Sequence, residues 1–148
     1  MKKMTLAEID NSLPNGFHDA MIHSIHLDYV NRHAIIKIDI WVGELDSDDE
    51  NIRDAYQSGQ LILSDLIYCV IEPPDSANSY KKGSPLWVNT GPIEKFAANS
   101  SVKLPSSIPG NSNGYCFFVQ DWNACFYVAA KSAKLEWDND DLDLCSDR

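Results

Sequence analysis

Basic charge is what this sequence has least of. Lys and Arg number 12 against 22 Asp and Glu, a formal net charge of −10 at pH 7. Phosphate backbones are held by Lys and Arg, so binding to DNA or RNA is not expected, and anionic membrane surfaces are disfavoured for the same reason. Long apolar runs are also missing. The longest, Leu66 to Ile71, suits a strand and falls far short of the roughly 18 residues of a membrane span. Met1-Lys2-Lys3-Met4 has the charge of a signal peptide, but Glu8, Asp10 and Asn11 arrive before any apolar stretch, so no leader is expected. Gly and Pro contribute 7 residues each and follow no period, which excludes collagen, and the composition excludes coiled coil and disorder. There is no Walker loop, no Gly-x-Gly-x-x-Gly, no Gly-x-Ser-x-Gly and no His-Glu-x-x-His, so no cofactor is expected. The four cysteines, Cys69, Cys116, Cys125 and Cys145, show no Cys-x-x-Cys spacing. They read as free thiols in a cytoplasmic protein.

What remains is an ordinary mix of types, with 44% hydrophobic residues in 148. A chain of that length fits one domain over 1–148 and hides roughly 68–70% of its unfolded surface without staples. Residues 1–16 form a lead-in with one short helix. Thr5 caps it, Glu8 completes a capping box, Leu6 and Ile9 face inward, and Pro14-Asn15-Gly16 ends it. Met21 to Val30 and Ala34 to Val42 alternate apolar and polar residues, the signature of two strands with one buried face each. Asn31-Arg32 as a two-residue turn sets Tyr29 opposite Ala34, Leu27 opposite Ile36, Ile25 opposite Ile38 and His23 opposite Ile40. In that register the greasy sides coincide, and His23 shares a face with Ile25 and Leu27.

Gly43 to Gly59 is an acidic connection with a helical turn near Ile52 to Tyr56. Gln60 to Glu72 reads as a long strand in which Leu61, Leu63, Ile67, Cys69 and Ile71 share a face, with a bulge or bend at Ser64-Asp65. Pro73-Pro74 ends it. Asp75 to Gly83 is polar loop, Leu86-Trp87-Val88 is a short strand closed by Gly91-Pro92, and Ile93 to Ala98 is a brief helix or irregular. Ser100 to Gly114 is loop. Tyr115 to Val119 and Ala124 to Ala130 make a hairpin through Gln120-Asp121-Trp122-Asn123. Ala133 to Trp137 is a last strand or an extension, and the acidic tail 138–148 is frayed. The fold class is therefore mainly β: an antiparallel sandwich or partly open barrel of about seven strands with one or two short helices.

Phe17-His18-Asp19-Ala20, Ile40-Trp41-Val42-Gly43 with Ile71-Glu72-Pro73-Pro74, and Asp121-Trp122-Asn123 with Ala129-Ala130-Lys131 together resemble a group of small, uncharacterised bacterial proteins of about this length. The likeness runs from residue 17 to 137. It implies a bacterial source and carries over no site residue. The Phe-His-Asp-Ala opening followed by a hairpin also resembles immunity proteins of bacterial polymorphic toxin systems, which implies a toxin as partner.

All four histidines, His18, His23, His26 and His33, fall within one short stretch. His18, Asp19 and His23 form a candidate functional corner, for acid–base work or a metal, because histidine and carboxylate are natural ligands. Strand geometry argues against a larger cluster. His23 and His26 point to opposite faces, His26 faces Lys37, and His33 lies at the turn. The plainer alternative is that His18 and Asp19 fix the strand entrance by hydrogen bonds. Trp41, near Ile22 on the polar face, and the turn Asp121, Trp122 and Asn123 are candidate interaction residues, since Trp dominates binding hot spots. The covering of the Trp41 face is assigned to a second sheet, a loop or another chain. A homodimer is one solution, and the oligomeric state stays open. Asp46-x-Asp48-x-Glu50 begins like a calcium loop, but Asn51 stands where Gly is needed.

Three functions fit these residues. The first is a non-enzymatic acidic interaction domain, of the immunity kind, with a basic protein partner. The second is a metal-binding or hydrolytic domain on His18, Asp19 and His23. The third is a ligand-binding barrel lined by Trp87 and Phe118.

Overall fold

The computed structural model describes residues 4–75, 82–92 and 113–138. Thr5 caps helix α1 (Leu6–Ser12) by the expected capping box, its hydroxyl accepting from the Glu8 amide and the Glu8 carboxylate accepting from the Thr5 amide, both at 3.1 Å. Strands β1 (Ala20–Asp28) and β2 (His33–Trp41) follow, then the single turn α2 (Glu50–Arg53) and the long strand β3 (Tyr56–Ile71). After β4 (Leu86–Pro92) and β5 (Asn113–Val119), a 3-10 turn over Gln120–Trp122 leads into β6 (Ala124–Trp137).

The strands close into an antiparallel barrel in the order β1-β2-β3-β6-β5-β4. Six strands stand among the described residues rather than about seven, because Ala133 to Trp137 simply continues β6. The short strand at Leu86 runs on through Gly91 and Pro92, paired with Cys116 and Tyr115, instead of ending there. Residues 76–81, 93–112 and 139–148, with the loop and tail readings that fall on them and with Cys145, lie outside the described residues. No helix among the described residues is long and apolar enough to cross a membrane.

The barrel interior is filled. Ala34, Ile36, Ile38 and Ile40 point inward from β2, as their alternation requires, and meet Leu61, Leu63 and Leu66 of β3 and Phe126 and Val128 of β6. Phe117 sits at the centre, its ring 5.5 Å from Phe126 in a stack and 5.6 Å from Phe17 in a tilted pair. Helix α1 adds Leu6 and Ile9 to this core against β5 and β6. The Tyr115 hydroxyl donates to Asp10, whose other oxygen accepts from the Phe17 amide. Gly16 is required beside it: its φ is +57°, and a Cβ there would stand 2.2 Å from the Asp10 carboxylate. A second cluster of buried residues, Tyr68, Cys116, Cys125, Tyr127 and Ala129, lies on the outer wall of β3, β5 and β6, with the partly buried Ile67 and Phe118 packed against it.

Several expectations need correction. The β1–β2 loop is four residues, 29–32, and the pairs are Asp28 with His33, Leu27 with Ala34 and Ile25 with Ile36. Asn31 causes this, since its amide and side chain both bond to Asp28, at 2.9 and 2.8 Å. His26 therefore pairs with Ile35, and Lys37 with Ser24. A bulge at His23 then resets the strand, so that Ile22 pairs with Ile38 and is buried, while His23 turns out of the core face. In β3 the expected bend is present at Asp65, where φ is +53°, but the register shift falls beyond it, between Leu66 and Tyr68. Those two irregularities put Leu66 rather than Ile67 in the main core and leave Ile71 46% exposed. The helical turn of the acidic connection starts at Glu50, capped by Asp49, ahead of its expected place.

Candidate functional site

The bulge that expels His23 also builds a site. The His23 ring turns toward β2, where its Nε2 lies 2.8 Å from Asp39 Oδ2. Asp39 is opposite Ser58 on β3, and the Ser58 hydroxyl donates to Asp39 Oδ1 at 2.6 Å. Burial works against the charged form of Asp39, but the bonds from Ser58 and His23, with the His23 charge, outweigh it and hold the carboxyl below its ordinary range. Lys37, Ile38, Gly59 and Asp138 complete a groove of about 360 Å³ around these three side chains. Serine bonds to the carboxylate and not to the imidazole, so nothing here activates the hydroxyl as a nucleophile.

One register row ties this groove to the rim of the barrel. Trp87 pairs with Met21, Met21 with Asp39, and Asp39 with Ser58. Beside that row Tyr56 meets Trp87 edge-on, with ring centroids 6.3 Å apart and planes at 90°. Both rings are exposed, Tyr56 by 36% and Trp87 by 38%. The Tyr56 hydroxyl donates to the Asp19 carbonyl at 2.9 Å. Its pKa is raised by burial and by the negative charges of Asp19, Asp54 and Asp39. Asp121 closes the other side, its Oδ2 accepting from the Trp87 amide at 3.3 Å.

The corner residues divide. His18 and Asp19 contact each other at 3.4 Å, both well exposed. Asp19 has φ +55°, donates its amide to Asn89 Oδ1 and offers its carbonyl to Tyr56, so it shapes the strand entrance. His23 belongs instead to Asp39. Among the described residues no group of three or more His, Cys, Asp and Glu side chains is placed to hold a metal ion.

Trp41 pairs with Tyr56 rather than lying by Ile22, and its indole N–H donates to the Arg53 carbonyl at 2.7 Å. The loop carrying α2, with His18 at 6.2 Å, covers it. Asp121, Trp122 and Asn123 form the 3-10 turn and its cap, where Asn123 takes φ +49° and Trp122 packs back on the core. Trp87 and Phe118 stand outside the barrel, so they do not line an interior pocket. The cysteines Cys69, Cys116 and Cys125 are free and buried, and burial pushes the Cys69 thiol up to about 11. The same burial, with neighbouring Cys125, pushes the Cys116 thiol further up.

Asp39, Ser58 and Tyr56 are the residues that sequence reasoning missed. Their signal is cross-strand register, which the β2–β3 pairing supplies and local pattern does not. Comparison with protein-family models, with curated proteins and with solved structures finds no match to this chain.

Proposed function

We propose that the chain is a non-enzymatic, acidic interaction domain whose partner is a basic protein. The observation that carries this reading is the surplus of acid gathered at one rim. Asp19 and Asp54 lie close enough to Tyr56 to raise its pKa, Asp121 accepts from the Trp87 amide, and both aromatic side chains are exposed. Arg53 lies 3.4 Å from Asp54 and offsets that carboxylate. Complementary charge speeds encounter and selects the partner, while a desolvated aromatic anchor supplies residence time. A core packed with Phe17, Phe117 and Phe126 fills the barrel and leaves the exposed Tyr56 and Trp87 rim as the working surface. The likeness to immunity proteins gives the basic partner a kind, a bacterial toxin.

The test is affinity capture from the native host with the folded chain, followed by identification of what is bound. A single basic protein retained at low ionic strength and shed at high ionic strength is the expected result, because screening removes attraction between exposed charges. Recovery of no specific protein, or of an acidic one, overturns the reading.

A further inference from the structure

We infer that the rim binds an arginine side chain, its guanidinium laid on the open face of Trp87 and its N–H fork turned to the flanking carboxylates. This rests on the proposed function and names the group that the basic partner presents. An edge-on neighbour occupies at most one face of a ring, and Trp87 stays 38% exposed beside Tyr56. Trp is the strongest of the aromatic rings for a cation, and Arg is its commonest partner because a planar, weakly hydrated guanidinium can stack as well as attract.

Two carboxylates belong to residues bonded to this aromatic pair. Asp121 accepts from the Trp87 amide itself, and the Asp19 side chain is 42% exposed where Tyr56 bonds to its carbonyl. Planar carboxylates receive a guanidinium fork through two parallel bonds, which an ammonium cannot make. Lys37 lines the neighbouring groove with Asp39. The site therefore distinguishes arginine from lysine at equal charge, which a merely acidic surface does not.

The probes are a capped peptide of arginine and glycine and its lysine counterpart of equal charge. They are titrated into the intact protein while the four indole N–H resonances are followed by NMR. The arginine peptide is expected to shift the Trp87 indole and to bind more tightly than its twin. Trp87→Ala is expected to weaken it about fivefold or more. Asp19→Asn is the second variant, because Asn tolerates the positive φ of that position and keeps the corner folded. It is expected to weaken the arginine peptide about twofold or more. Equal binding of both peptides, no loss in either variant, or no binding of either peptide overturns this inference. Capture of a basic protein by the Trp87→Ala chain in the same outcome leaves the proposed function standing, whereas failure of capture by the unaltered chain removes both.

Discussion

The two strands of the first hairpin have nine residues each and treat their own patterns differently. Strand β2 keeps its alternation to the end, with Ala34, Ile36, Ile38 and Ile40 all exposed by 1% or less. Strand β1 changes face at His23, burying Ala20 and Ile22 before the bulge and leaving Leu27 41% exposed after it. Their surroundings explain the difference. β2 is flanked along its length by β1 and β3, so its inner face has one solution. β1 meets β4 only from Ala20 to Ile22, so its far half has β2 alone beside it among the described residues. An unpaired extra residue is tolerated where one flank is free, and here that residue is the one that reaches Asp39.

Deleting one residue from each strand tests this comparison most severely. Loss of Lys37, an exposed side chain, turns half of β2 over and moves either Ile38 and Ile40 or Ala34 and Ile36 out of the core. The chain is expected to lose its cooperative unfolding transition, a cost on the scale of the whole stability of about 5–15 kcal/mol. Loss of His23 instead straightens the ladder, because Ile22 and Ser24 already face the consecutive residues Ile38 and Lys37. That deletion is expected to keep the fold within about 1 kcal/mol. Thermal unfolding followed by circular dichroism separates the two, and similar behaviour of both deletions refutes the bulge as the point of slack.

Smaller effects sharpen the same contrast. Ile38→Ala leaves a cavity in the filled barrel and is expected to cost about 2–4 kcal/mol in urea unfolding. Leu27→Ala on the exposed end of β1 is expected to cost less than about 1 kcal/mol. Tyr29 lies just beyond and is half exposed, yet its hydroxyl donates to the Cys69 carbonyl at 3.0 Å and accepts from the Cys69 amide at 2.8 Å. It caps the β3 backbone past the last β2 pair, His33 with Ser64. Tyr29→Phe removes both bonds and is expected to cost about 1–2 kcal/mol, more than Leu27→Ala despite losing one atom.

Local signals explain why some of this was legible in advance and some was not. The capping box of α1, the four inward residues of β2 and the hairpin through Gln120 to Asn123 each follow from neighbours in the chain. They need only side-chain spacing and turn chemistry. The candidate site does not work that way. His23 looked like a core-edge residue because it continues the parity of Ile25 and Leu27, and only the three-dimensional pairing of Ile22 with Ile38 shows where the parity breaks. Asp39, Ser58 and Tyr56 come together through the register of β2 with β3, set by a connection of 14 residues between Trp41 and Tyr56 whose length carries no register information. The cover on Trp41 is likewise a tertiary fact, since the carbonyl that takes its N–H belongs to Arg53.

The pair Ser58 and Asp39 gives the finest test of the bulged side of the comparison. Asp39 titrates below its ordinary value of 3.8 in the folded chain, burial being outweighed by the bonds from Ser58 and His23. A carboxyl with a depressed folded pKa stabilises the fold above its unfolded pKa, and that contribution fades as pH falls through the folded value. Ser58→Ala removes the 2.6 Å bond and lets the Asp39 pKa rise toward 3.8. The variant is therefore expected to be less stable than its parent by about 0.5–1.5 kcal/mol at about pH 6, with the gap closing in acid as pH falls below 3.8 and through the folded value of the parent. Carboxyl NMR titration of Asp39, paired with urea unfolding at both pH values, measures each half of this. A gap that stays constant with pH would show that Ser58 acts through packing alone and that His23 by itself holds the carboxylate in its charged form.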